Sequence, residues 1–163
     1  HSGRDGIQGL ELERSICVSN AYHYDELNVG AEFYSPTRTI TESDIIQFAG
    51  LTGDLNELHT SATFAKNTSF GERIAHGMLI LSMANGLYMR SGIFNTSVFL
   101  GIENWKSTKP VMIGDTIMLK LTIADKRMTK DGKRAIIGMQ YDVLNQREEI
   151  VATGLFRRMI QVA

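Results

Sequence analysis

The chain has 163 residues, enough for one domain, with 43 % apolar residues, a formal net charge of −1 and one cysteine. That balance gives no global basic field for DNA or RNA and no nucleic-acid motif accompanies it, so that class of partner is set aside. Cys17 cannot close an internal disulfide and no Cys/His cluster has zinc spacing, which fits a reducing compartment and a cysteine acting as a small apolar residue.

Residues 1–20 are polar, carry glycines and have no clear period. They are expected to form a ragged leader, with a single domain over residues 21–163. The expected location is the cytoplasm, or an organelle if a targeting segment has been removed.

Thr41-Glu42-Ser43-Asp44 has the form of a capping box, with Thr41 as N-cap and Asp44 reaching back. Ile45, Phe48 and Ala49 follow at helical spacing, and Gly50 and Gly53 supply the stop. Residues 52–59 are predicted to be a loop. A second short helix is expected from Ser61 through Phe64 to Lys66. Residues 79–89 are apolar on nearly all sides, which predicts a helix surrounded by protein at the centre of the core. The longest uncharged run, residues 74–89, falls short of the roughly 20 apolar residues that span a bilayer, so no membrane partner is expected.

The second half alternates instead. Val98 to Ile102 predicts a short strand. Ile117, Leu119, Leu121 and Ile123 alternate with Met118, Lys120, Thr122 and Ala124, and Ile137, Met139, Tyr141 and Val143 repeat the pattern after an Asp131-Gly132 turn. A polar turn at 145–149 leads into a third long strand over 150–160. Tight turns with no helical crossover imply antiparallel pairing. Helices first and strands later predict an α+β fold, a sheet wrapped around one long helix.

The polar residues that stand out lie on either side of the second short helix. In Gly53-Asp54-Leu55-Asn56-Glu57-Leu58-His59, the two leucines can pin the loop to the core, leaving Asp54, Asn56 and His59 as polar groups beside an apolar wall. An Asp after a glycine is most often a turn residue, and a lone His more often a surface or satisfied core residue than a catalyst. Ala75-His76-Gly77 stands just before the buried helix, whose first turn leaves backbone N–H groups unpaired and carries partial positive charge. A backbone N–H at Gly77 can hold an oxyanion there, although the glycine can equally serve close packing, and the plain reading of His76 is a cap.

These two segments together resemble the MaoC-like dehydratases, which include the (R)-specific enoyl-CoA hydratases of the hotdog fold. The family motif appears here as Gly53-Asp54-Leu55-Asn56-Glu57-Leu58-His59, then Phe64-Ala65, then Phe70-Gly71-Glu72-Arg73-Ile74-Ala75-His76-Gly77-Met78. Val98-Phe99-Leu100-Gly101, Lys109-Pro110-Val111 and Gly114-Asp115 continue the match, which runs from about Asp25 to Phe156. Two positions depart from it. Glu57 stands where the family usually has proline, and Asn85 stands where some bacterial members carry an active-site serine, with Ser82 one turn away.

The resemblance implies a hotdog fold and (R)-specific hydration of trans-2-enoyl-CoA to 3-hydroxyacyl-CoA. It implies Asp54 and His59 as the catalytic pair, Asn56 as the residue that orients the loop and its water, and the Gly77 N–H as donor to the thioester oxygen. His76, Met78 and Asn85 are implied as substrate-binding residues. No metal and no cofactor beyond the CoA of the substrate are expected, and a homodimer is expected by analogy with other hotdog proteins. A base imidazole has to be neutral, so activity is expected to fall on acidification. Competing readings are a hotdog acyl-CoA thioesterase, a non-catalytic acyl-CoA-binding subunit, and a dehydratase for branched or dicarboxylic (mesaconyl-CoA type) enoyl-CoA or for acyl-carrier-protein thioesters. Arg73, Arg90 and Lys109 are candidates for CoA phosphates or a substrate carboxylate, each with solvated surface charge as the plainer reading.

Overall fold

A computed structural model describes residues 22–94 and 96–162. The expected leader over residues 1–20 and Cys17 lie outside the described residues. Among the described residues four α-helices, α1 (Glu42–Thr52), α2 (Glu57–Thr60), α3 (Ala62–Lys66) and α4 (Gly77–Arg90), join six strands, β1 (Glu32–Tyr34), β2 (Arg38–Thr39), β3 (Val98–Ser107), β4 (Thr116–Met128), β5 (Arg134–Leu144) and β6 (Ile150–Gln161). The sheet runs β1-β4-β5-β6-β3, with β2 also paired to β4. All of these pairs are antiparallel.

The alternation in β4 and β5 does what its period requires. Ile117, Leu119, Leu121 and Ile123 of β4 and Ile137, Met139, Tyr141 and Val143 of β5 are fully buried, while residues between them face outward on the pleat. They pack with Leu79, Ile80, Met83, Ala84, Leu87 and Tyr88 of α4 in one core. The strand after α4 is twice as long as expected, 10 residues, because β6 supplies a partner along its length through two irregularities in register. β1 and β2 are too short, at 3 and 2 residues, to carry a readable period.

Two expectations need correction. Residues 52–59 are not all loop: Asn56 accepts a hydrogen bond from the Leu58 N–H at 3.0 Å and caps a single helical turn that carries His59. Nor is α4 enclosed on every side. Met78 (60 % exposed) and Met89 (47 %) mark a stripe of the helix that the sheet of the same chain leaves open. No helix among the described residues is long and apolar enough to cross a membrane.

Candidate active site

The site begins at the end of α1. The Thr41 hydroxyl accepts from the Asp44 N–H and the Asp44 carboxylate accepts from the Thr41 N–H, so the capping box starts the helix as the residue types require. Gly53 ends it at φ 77, a left-handed conformation that glycine adopts without cost. The chain then turns sharply. The Thr52 hydroxyl accepts from the Asp54 N–H, and the Asp54 carboxylate accepts from the Asn56 N–H at 3.4 Å. Asn56 spends its side-chain carbonyl on capping α2, so it orients the loop through its own backbone contacts.

His59 is 9 % exposed, and its Nδ1 lies 2.7 Å from the Ile74 carbonyl oxygen. A carbonyl only accepts, so Nδ1 carries a proton, and in the neutral ring Nε2 has the lone pair. His76, 1 % exposed, donates from Nε2 to the Asp54 carbonyl oxygen at 3.0 Å. Its Nδ1 has no partner among the described residues. The two imidazoles stack with ring centroids 3.8 Å apart, and Phe48 closes the other side of His76 at 5.0 Å. His76 occupies the N-cap position of α4, but its side chain makes no capping hydrogen bond. It ties the Asp54 peptide to the entry of α4.

A carboxylate oxygen of Asp54 and one ring nitrogen each of His59 and His76 all lie within 4.8 Å of one another. One water bonded at about 2.8 Å to each of two such groups spans about 4.6 Å between them, so the separation fits a single shared water. The same three residues are the group that offers metal ligands among the described residues. Each imidazole already gives one nitrogen to a backbone carbonyl.

His59 lines a cavity of about 320 Å³ together with Phe70, Ile74, Gly77, Ile80, Ser107 and Lys109. Gly77 opens α4 at its wall with its backbone exposed. A Cβ there would meet the Ser107 hydroxyl at 3.0 Å, so the glycine keeps the space between helix entry and strand end open. Lys109 donates to Glu149 at 2.5 Å. The Asn145 amide, Lys109 and Arg147 together hold the Glu149 carboxyl down at about 2.

Asp54, Asn56 and Met78 are exposed and, like the buried His76, do not line this cavity; the Asp54 carboxylate lies within 4.8 Å of a ring nitrogen of His59, which does. Asn85 lies elsewhere: it accepts a hydrogen bond from Arg158 and does not line this cavity. The Ile74 carbonyl and Ser107 join the site without a signal in the sequence. A backbone carbonyl leaves no mark in a sequence, and Ser107 is one hydroxyl at a strand end.

Fold and site together define an α+β hotdog domain with a carboxylate and two imidazoles gathered beside the entry of its central helix. The chain aligns in three dimensions with a Mycobacterium tuberculosis protein described as a double hotdog fold, at a TM-score of 0.75 over 88 % of this chain and 45 % of that one, with 15 % identity, a likeness of fold alone. Residues 26–143 match the MaoC like domain, and the chain belongs to the MaoC-like dehydratase family. It is 33 % identical over 133 residues to the protein MaoC of Klebsiella aerogenes, covering 82 % of this chain but only 39 % of that protein. It is 35 % identical over 101 residues to an (R)-specific enoyl-CoA hydratase of Rhodospirillum rubrum, covering 62 % of this chain and 69 % of the relative. A structure described as a monoamine oxidase regulatory protein from Archaeoglobus fulgidus superposes with a TM-score of 0.80 at 36 % identity, over 91 % of this chain and 99 % of the other.

Proposed function

We propose that this protein is a hydro-lyase that adds water to trans-2-enoyl-CoA to give (R)-3-hydroxyacyl-CoA, and reverses that step. The observation that carries this reading is the convergence of the Asp54 carboxylate and the His59 ring within 4.8 Å beside the cavity where α4 begins. The names of the relatives support the reaction class and the hand of the product.

In this reading Asp54 and His59 grip one water from two sides. One of them takes a proton as the water oxygen bonds to Cβ and the Cα=Cβ electron pair moves toward the thioester. The negative charge on the thioester oxygen is met by the Gly77 N–H, where the helix end is positive. The captured proton, or the partner's, then goes to Cα on the same face. H and OH of one water end on one product, and no electrons enter or leave. Each positioned acid–base group contributes about 10²–10⁴ in rate, and an oxyanion donor about 10²–10³.

The reading includes a homodimer. Among the described residues β3 pairs only with β6, and its other edge carries Val98, Phe99 and Leu100, each about half exposed. That edge and the open stripe of α4 would both be covered by a second copy.

The test is to incubate the protein with trans-2-enoyl-CoAs of graded length and follow loss of the conjugated absorbance. Loss without release of free thiol, with an (R) product, is expected. Free CoA as the product would replace this reading with a thioesterase.

A further inference from the structure

Arg158 breaks the pattern of the inward face of the sheet. Its neighbours on that face of β6, Phe156 and Ile160, are buried apolar residues, and Arg158 itself is only 3 % exposed. It donates to the Ser97 hydroxyl at 3.2 Å and to the Asn85 side-chain oxygen, and lies 4.2 Å from the Tyr88 ring centroid. All of these partners are neutral. No ion pair joins Arg158 to a carboxylate among the described residues.

Two polar atoms here are also unspent. The Arg158 Nε–H has no hydrogen-bond partner among the described residues, and the Tyr141 hydroxyl, on a residue with no exposed surface, has none beyond the Arg158 guanidinium beside it. The two groups are neighbours: burial pushes the Tyr141 phenol well above its usual range, and the Arg158 guanidinium pulls it partly back. A guanidinium has only donors and stays charged, and a phenol can donate. Among the described residues the cluster therefore has no negatively charged acceptor, and a buried cation without one is costly.

Its place on α4 says what that acceptor is attached to. Met78, Leu81, Ser82, Asn85 and Met89 recur at spacings of three and four on one face of the helix. Met78, Ser82 and Met89 on that face are exposed and Leu81 and Asn85 are half-buried. This stripe starts beside Gly77 and reaches Asn85 about 12 Å further along the axis. We propose that the Asn85–Arg158–Tyr141 cluster binds the distal carboxylate of an acyl chain whose thioester sits at Gly77, so that the preferred substrates are medium-chain enoyl thioesters ending in a carboxylate. The placement of the thioester rests on the hydratase reading. The second copy proposed above would roof the stripe.

The test separates binding from turnover. Calorimetric titration with octanoyl-CoA and with suberyl-CoA, saturated analogues of equal length, reads the preference without chemistry. Suberyl-CoA is expected to bind at least ten-fold more tightly to the wild type, and Arg158→Gln should erase the preference. Asn85→Asp sets a carboxylate beside the guanidinium without removing a core side chain, so it should erase the preference even if R158Q fails to fold. Equal or weaker binding of suberyl-CoA by the wild type overturns the proposal, and so does an unchanged preference in N85D. Hydration of trans-2-octenoyl-CoA without any preference for the carboxylated chain sinks this inference alone. A clear binding preference with no hydration of either enoyl-CoA sinks the hydratase reading and leaves the anion site standing.

Discussion

His59 and His76 lie against each other with ring centroids 3.8 Å apart, and each gives one N–H to a backbone carbonyl, His59 to Ile74 and His76 to Asp54. The second bond fixes the peptide of one proposed catalytic residue from beneath the ring of the other. His76 thus acts through its neighbours, as a positioning residue. Removing it in His76→Ala frees the Asp54 peptide, and misplacement on the scale of 1 Å costs about 10²-fold. We expect kcat to fall by about that factor with KM little changed. His76→Asn, which keeps a donor, should recover part of the loss. Steady-state kinetics of both variants checks this, and equal losses in the two would leave only a packing role.

Gly77 and Ser107 should be coupled. A methyl group at Gly77 would stand 3.0 Å from the Ser107 hydroxyl, at the point where the thioester oxygen is proposed to bind. Gly77→Ala is expected to lower kcat/KM about ten-fold or more. Ser107→Gly in that background should restore most of it by clearing the contact. A double variant no better than G77A would mean that the methyl blocks substrate rather than spreading the helix and strand.

Thr41 caps α1, the helix that delivers Gly53 and Asp54. Thr41→Ala removes the hydroxyl that accepts from the Asp44 N–H, at a cost of about 0.5–2 kcal/mol. Partial burial works to raise the Asp44 carboxyl, but the Thr41 N–H and hydroxyl and the Arg38 guanidinium outweigh it, and the net shift is downward from 3.8. A depressed carboxylate stabilises the fold above 3.8 and loses that contribution as pH falls through its folded value. T41A should therefore melt earlier at neutral pH by about 2–4 °C, with the difference shrinking in acid. Thermal denaturation at pH 7 and pH 3 checks it.

Those elements mark what the sequence could and could not reveal. The Thr41–Asp44 box, the alternation of Ile117 to Ile123 and the Asp131-Gly132 turn are local patterns, and each appears where it was expected. The one-turn helix carrying His59 has no helical signature in the sequence, because four residues are too few for a helical period and the signal is one Asn56 side chain. The Ile74 carbonyl under His59 and the His76 ring against it are contacts made across the fold. No spacing encodes them. Arg158 sits in an alternating strand where its neighbour Arg157 faces out to Asp125 and Glu103. Which of two adjacent arginines turns inward is decided by register, which the sheet sets as a whole.

Glu149 should govern the acid limb of stability at the turn beside the cavity. The Asn145 amide, Lys109 and Arg147 hold its carboxyl at about 2, against 4.5 for a free glutamate. Its contribution is full above 4.5 and is lost as pH falls toward 2. Glu149→Gln should flatten the fall of urea midpoint with pH in that window and leave the slope above it unchanged. Parallel curves for wild type and variant would remove Glu149 from the account.

The free edge of β3 gives a prediction on assembly. Leu100→Lys adds a charge to an edge that is half exposed in one copy, and it should convert the proposed dimer to a monomer. Sedimentation velocity of both proteins reads this directly. A wild-type chain that is monomeric at micromolar concentration would leave the α4 stripe and the β3 edge without the partner assigned to them.

The most direct measurement is hydration of a trans-2-enoyl-CoA by the wild type, Asp54→Asn, His59→Gln and the double variant, each shown to be folded. If one water is shared by the two side chains, each single variant loses about 10²–10⁴ in kcat, and the double variant loses little more than the worse single, as expected for groups that act as a unit. Hydration near the wild-type rate in either single variant would contradict it.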